Sequence, residues 1–531
     1  MSVIDFIIVI IYLGILLGLG VRLSRGNETQ DDYFIAGRSM AWLPVALSVA
    51  ATTISGNGFI GGPGWSYQSG LRAFMMNASI PLVLALACSC FLPFLYHIRI
   101  TSCYEYLQKR FGAASRTLGA VGFLATALIQ VSSMVYIPSL IISQLTGWNI
   151  KVVLIVIVIV STVYTLLGGI KAVIWTDVIQ MVIVWGGLFA VVFLALKNLD
   201  IGFMETIQVA REAGKLNALD FSMDLNLENG FWVTLLGGGI LWMQYYISDQ
   251  SQVQRLFSAK SVTEVKRSLL TSGILMNVMY FVFMIIGLIM FSVFQGRTFD
   301  NTNQIMIQFI ADKVPAGVMG CIIAGIFAAA MSSVDSLLNS MATVFIKDIY
   351  EKWVLKGKKT ASLTVSRNFT LVMAVFVVLF ATLGFLNTTA SVLAVVGSYI
   401  SYLCGAILGM FLLGMLTRRA NDFGVSIGFA AGVLGTVVLS KVCPVNYLWY
   451  NVTGLLITMA AGYLASLLKP GKNLTETERY TLLGCRREIL RASTAHTDKK
   501  MLQEMPCHMD KYSWGLILFF VIQYLVLGTF R

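Results

Sequence analysis

A chain of 531 residues that is 57% hydrophobic and only 12% charged, arranged in apolar runs of about twenty residues, belongs to the polytopic membrane class and excludes a soluble domain. Its formal charge of +12 is spread over the connections between runs, where orientation and anionic lipid head groups account for it, so nucleic acid is not an expected partner. With 3 histidines and 8 cysteines lacking any CxxC pair, neither a metal centre nor an enzyme constellation is expected, and no obligate protein partner is apparent.

Fourteen spans are expected, at about 3–22, 41–68, 75–98, 117–146, 152–169, 174–197, 231–250, 268–294, 315–345, 365–385, 388–414, 422–440, 447–468 and 513–530. Span 1 carries Asp5 and is followed by arginines, so it reads as an uncleaved first helix rather than a signal peptide. Lys and Arg fall in every second connection: Arg22 to Arg38, His97 to Arg116, Arg255 to Arg267, Lys347 to Arg367, Arg418 and Arg419, and the linker 469–512. By the positive-inside rule these are cytoplasmic, and both termini lie outside the cytoplasm of a cell (plasma) membrane protein.

Span 2 is interrupted by Thr52-Thr-Ile-Ser-Gly-Asn-Gly58-Phe-Ile-Gly-Gly-Pro63-Gly, and span 7 carries Gly237-Gly238-Gly239 at a corresponding place. Either could be a structural kink; irregular backbone at membrane depth is tolerated where it borders protein or a polar cavity. Spans 2–6 and 7–11 repeat one plan, and five spans is an odd number, so the second set enters from the opposite side. The expectation is an all-α integral membrane fold with a five-plus-five inverted repeat, a plan that places a site at the midplane between broken helices. The units are an extra helix 1–22, repeats 41–197 and 231–414, C-terminal helices 422–468, the linker 469–512, which is expected to hold some amphipathic helix, and a last helix 513–531.

Span 9 contains Ala329-Ala-Met-Ser332-Ser333-Val-Asp335-Ser336. Ala329, Ser332, Ser333 and Ser336 form one stripe of a helix, with Asp335 on its flank. Small residues there could simply admit a neighbouring helix, but an ionised carboxylate at that depth needs a partner. Oxygen-only ligands suit a hard cation, and sodium fits that chemistry. Asp177, one turn into span 6, could be a carboxylate favoured by a helix start. It could equally reach the level of Asp335 and, with Ser332 and Ser336, hold a second cation.

Several ordered blocks resemble the sodium/solute symporter family, which contains sodium-coupled glucose, proline, vitamin, iodide, monocarboxylate and sialic acid transporters. They are Gly169-Ile-Lys-Ala-Val-Ile-Trp-Thr-Asp177-Val-Ile-Gln180, Asp249-Gln250-Ser-Gln-Val-Gln254-Arg255, Val135-Tyr-Ile-Pro-Ser-Leu140 and Met331-Ser-Ser-Val-Asp-Ser336. The resemblance covers about the first 470 residues and implies a fold similar to the bacterial leucine transporter. It also implies a principal sodium site from the Ala51, Ile54 and Ala329 carbonyls with the Ser332 and Ser333 hydroxyls. In some branches a second sodium would use Asp177, Ser332, Asp335 and Ser336, although Asp335 stands where the sialic acid members carry serine.

The same resemblance turns Thr53, Ser55, Gly58, Asn77, Gln130 and Gln244 toward the solute. These neutral groups suit a small polar organic solute such as a sugar or sugar derivative, sialic acid type included. An arginine of the sialic acid members is replaced by Gln130, so that carboxylate clamp is missing; Val135 to Leu140 looks like the vitamin, iodide and monocarboxylate branch. Sodium-coupled monocarboxylate or vitamin symport is therefore the alternative, and a solute sensor that does not transport is the second. One or two co-transported Na+ ions are the only ligands expected besides solute and lipid.

Overall fold

The computed structural model describes residues 2–24, 29–199, 201–299, 301–385, 392–443, 445–469, 477–492 and 504–530. Among the described residues 11 helical stretches are long and apolar enough to cross a membrane. The difference from fourteen expected spans has three local causes. Gly58–His97 runs two expected spans together, Ile150–Lys197 runs two more together, and span 7 is too short once broken. Residues 386–391, at the start of span 11, and much of the linker lie outside the described residues; Leu482–Ala492 supplies the linker's expected helix.

The first helix, α1 (Val3–Leu23), starts from a capping box between Ser2 and Asp5. Asp5 has a second use, because its Oδ1 accepts the backbone N–H groups of Gly317 at 2.7 Å and Gly320 at 2.8 Å. Span 2 divides into α2 (Trp42–Thr53) and α3 (Gly56–Ser69). Ile54 lies between them with φ −89° and ψ 85°, outside the helical region, while Pro63 is carried inside α3 without ending it. The third pass is assembled from Met75–Ala78, Ile80–Leu86, a π-helical turn Ala87–Phe91 and Leu92–His97.

After α4 (Ala113–Thr146) comes α5 (Ile150–Lys197), whose 48 residues would measure about 72 Å if straight, more than twice the hydrocarbon core. It is not straight. Gly169 has φ 56° and ψ −155°, a conformation L side chains avoid. Gln180 donates to the Tyr164 hydroxyl at 3.4 Å, whereas sixteen residues of straight helix would separate them by about 24 Å. The chain therefore folds back at Gly169 as the two expected spans 5 and 6.

Span 7 corrects the sequence expectation. Gly237–Gly239 does not break it: Val233–Gly238 is a π-helical turn that passes into α6 (Gly239–Ile247) with helical dihedrals at Gly238 and Gly239. Close packing explains these glycines, since a Cβ on Gly237 would sit 2.6 Å from the Leu448 carbonyl oxygen. The interruption comes at Ser248 and Asp249, where Asp249 caps a short new helix, α7 (Gln250–Phe257).

Two further helices complete the frame of the site, α8 (Val262–Val293) and α9 (Val318–Val344). From Ile322 to Val344 every residue of α9 is buried, as a helix enclosed on all sides must be. It packs along α5, with α1, α2, α3 and α4 also against it, so none of its polar residues faces lipid. The basic connections gather at one end: Arg116 pairs with Asp348 at 2.6 Å and Lys266 with Asp510 at 2.8 Å. Asp5 with Gly317, and Arg72 with Asp220 at 3.4 Å, are pairs between the other connections.

Candidate functional site

A helix that stops in the middle of a protein must dispose of its last carbonyls. In α2 the account is complete. Ala50 accepts from the Ile54 N–H at 3.0 Å, Ala51 from Ser332 Oγ at 3.2 Å, Thr52 from Ser333 Oγ at 3.3 Å, and Thr53 from the Tyr280 hydroxyl at 3.1 Å. Ser332 and Ser333 also lie 3.2 and 3.4 Å from the Ala329 carbonyl.

Each serine has two carbonyls in reach but one proton to donate. Two hydroxyls and the Ala51, Thr52 and Ala329 carbonyls thus converge, buried and without a charged group among them. The four hydroxyl–carbonyl separations are 3.2–3.4 Å, and an uncharged, all-oxygen set suits a hard cation such as sodium. Four of the five expected principal ligands are brought together; Ile54 adjoins them at the break, its non-helical ψ turning its carbonyl off the α2 axis.

Next to this uncharged set lies a charged one. Asp335 Oδ2 accepts from the Tyr164 hydroxyl at 2.6 Å and has Thr176 Oγ1 at 3.5 Å, while Oδ1 accepts from Ser336 Oγ at 2.8 Å. Asp177 Oδ2 accepts from Ser48 Oγ at 2.5 Å and lies 3.5 Å from an Arg255 nitrogen. That guanidinium also donates to Ser336 and, at 2.7 Å, to Ser48. Asp177, Asp335, Ser336, Ser48 and Arg255 are all 0% exposed. The two carboxylates do reach one level, as their depths in sequence implied. Arg255, Ser48 and Tyr164 were not expected in this group from sequence, although Arg255 closes the block Asp249–Arg255.

Around the break, Thr53 Oγ1 lies 3.3 Å from the Tyr246 hydroxyl, and Tyr246 contacts Met276 Sδ at 3.2 Å. Tyr245, Tyr246 and Trp242 form an aromatic group on α6. Trp242 Nε1 donates to the Met76 carbonyl at 2.9 Å, so α6 meets the piece holding Asn77. Gln244 is 3% exposed and its Nε2 has no hydrogen-bond partner, a donor that a bound solute would satisfy. Thr53, Ser55 and Asn77 are also buried, with Gly58 half-buried beside Tyr280 and Phe283. Gln130 stands apart, half-buried on α4, which meets the break further along, where the Pro138 ring packs against Gly56. Tyr246 and Tyr280 were not foreseen as facing this region; their spacing on α6 and α8 looks like ordinary core.

The profile described as Sodium:solute symporter family matches residues 33–432. The chain is 28% identical to the sodium/sialic acid symporter NanT of Aliivibrio fischeri over 89% of its own length and 95% of the relative's. It is 29% identical to the human sodium/iodide cotransporter, covering 78% of this chain and 66% of that one. A solved structure of a Na+-coupled sialic acid symporter in a substrate-bound, outward-open state superposes with TM-score 0.82 at 29% identity, covering 89% of this chain and 99% of that one. Mhp1, a nucleobase-cation-symport-1 family transporter, shares the fold at TM-score 0.58 and 16% identity.

Proposed function

The chain belongs to the sodium:solute symporter family, and on that premise we propose that it accumulates a sugar or sugar acid by letting sodium in with it through alternating access. It is a membrane transporter with the leucine-transporter type of fold, and sodium is its coupling ion. The observation that carries the reading is the meeting of the broken end of α2 with the Ser332–Ser333 hydroxyls. That set binds the principal sodium, with the Ala51, Ile54 and Ala329 carbonyls as its other ligands. Asp177, Ser332, Asp335 and Ser336 hold a second.

The solute lies against Thr53, Ser55, Gly58, Asn77 and Gln244; Gln130 completes the expected set but stands apart from them on α4. Support for a sugar acid comes from sialic acid symporters among the relatives that match nearly end to end. The iodide, vitamin and monocarboxylate relatives favour a small anion as the second reading. The basic connections face the cytoplasm of the cell membrane, which leaves both termini outside.

The number of ions sets the accumulation. One sodium entering down about 100 mV and a tenfold gradient supplies about 3.7 kcal/mol, near 500-fold for a neutral solute; two ions square that factor. The test is thermal unfolding of the detergent-purified protein in sodium and in potassium against sialic acids, hexoses, inositols, monocarboxylates, vitamins and amino acids. Ligand binding to the folded form raises the midpoint by mass action. Stabilisation by one solute class only in sodium identifies the substrate, and no sodium effect with any of them refutes the ion sites.

A further inference from the structure

The second oxygen set already contains a cation that belongs to the protein. Arg255 donates to Ser336 Oγ and Ser48 Oγ, lies 3.5 Å from Asp177 Oδ2, and is held from its other side by the Ser251 carbonyl. It therefore touches two of the four groups that would ligate the second sodium. A guanidinium and an ion drawing on the same groups would stand a few ångströms apart in a dry site, where like charges repel strongly. Asp177 Oδ1 remains buried with no hydrogen-bond partner, which leaves a carboxylate lone pair for an incoming cation.

Arg255 is not free to leave by itself. It sits on α7, where Gln250 accepts from the Cys103 N–H at 2.8 Å and donates to the Thr101 carbonyl at 3.0 Å. Gln254 donates to the Phe34 carbonyl at 2.6 Å and Thr343 Oγ1 at 3.0 Å. These contacts tie α7 to the basic end of the helix bundle, so the position of the guanidinium reports whether α7 is seated.

We propose that Arg255 is a tethered cation that competes with sodium for Asp177 and Ser336, so that this set admits sodium only as α7 withdraws its guanidinium. The inference rests on the reading that Asp177, Ser332, Asp335 and Ser336 form a sodium site. One positive charge then always faces Asp177, carried in turn by the side chain and by the ion. Loading of the second ion and seating of α7 become mutually exclusive. Arg255 is thus a positioning residue for coupling rather than a ligand of the solute.

The test is sodium titration of the purified protein at constant ionic strength, read by calorimetry and by the unfolding midpoint. The variants are Arg255→Gln, Arg255→Lys and Arg255→Gln with Asp177→Asn. Competition predicts that Arg255→Gln tightens the second sodium at least tenfold and moves the Hill coefficient from below two to near two. Adding Asp177→Asn should return it to one. A folded Arg255→Gln with the parent's sodium curve overturns the proposal. Recovery of Arg255→Gln in sodium but not in potassium supports it, since the ion then fills the vacated place. If that variant is recovered in neither, Arg255→Lys decides: its single ammonium makes fewer contacts, and less than a threefold change in sodium affinity overturns competition. Failure of the underlying reading looks different, because Asp177→Asn then leaves the sodium curve of Arg255→Gln unmoved.

Discussion

The two oxygen sets beside the break of α2 both draw on helix α9, yet they are built from opposite materials. The first is neutral, made of carbonyls released by a helix end and hydroxyls that can donate to only one of them at a time. The second has two carboxylates around one guanidinium, all 0% exposed. A neutral shell would lose little on releasing a cation, because its serine hydroxyls can donate to the carbonyls instead. A charged shell cannot be emptied so cheaply, and its resident arginine offsets one of its two carboxylates.

The sharpest way to break this contrast is to unbalance the charged set. Asp177→Asn removes the carboxylate facing Arg255 and is expected to lower stability by about 3–5 kcal/mol even in potassium, read by denaturant unfolding in detergent. A change under 1 kcal/mol would mean that the pair carries little of the fold. Ser333→Ala probes the neutral set and in potassium should cost only about 1 kcal/mol, for the donor lost to the Thr52 carbonyl. In sodium it should raise the half-saturating concentration about 10- to 100-fold, the worth of a hydrogen-bonding ligand to a charge; equal destabilisation in both salts would make the serine structural.

Gln130→Ala should weaken solute affinity several-fold in uptake assays while leaving the sodium dependence in place. If sodium affinity falls in parallel, solute and ion are not held by separate groups. The smallest effect is expected from Tyr280→Phe, which deprives the Thr53 carbonyl of its donor at a cost of about 1 kcal/mol. An unchanged midpoint would show that water replaces the hydroxyl.

The neutral set was legible in sequence because its chemistry is local. Ala329, Ser332 and Ser333 repeat with the period of one helix face, and the glycines of span 2 mark an interruption. The charged set was half legible: buried Asp177 and Asp335 had to find a partner, but nothing in sequence spacing names Arg255, which arrives from a helix no periodicity announces. Span 7 misled for a physical reason. Its three glycines admit the backbone at Leu448, and glycines that permit close approach read the same in sequence as glycines that permit a bend. The break at Ser248–Asp249 has no glycine; it is fixed by the Asp249 cap and the contacts of α7.

Asp5 carries a consequence for how the molecule is made. Its carboxylate accepts from the start of α9, across a sequence separation of 312 residues to Gly317. At synthesis rates of 5–20 residues per second, about 16–62 s pass between the emergence of the two partners. Throughout that interval α1 must wait in the bilayer with an acidic residue unmatched at its N-terminal end, protected only by its own capping serine. Changes at Asp5 should therefore act on biogenesis, through the yield of inserted protein, before they touch the transport cycle of the molecules that mature.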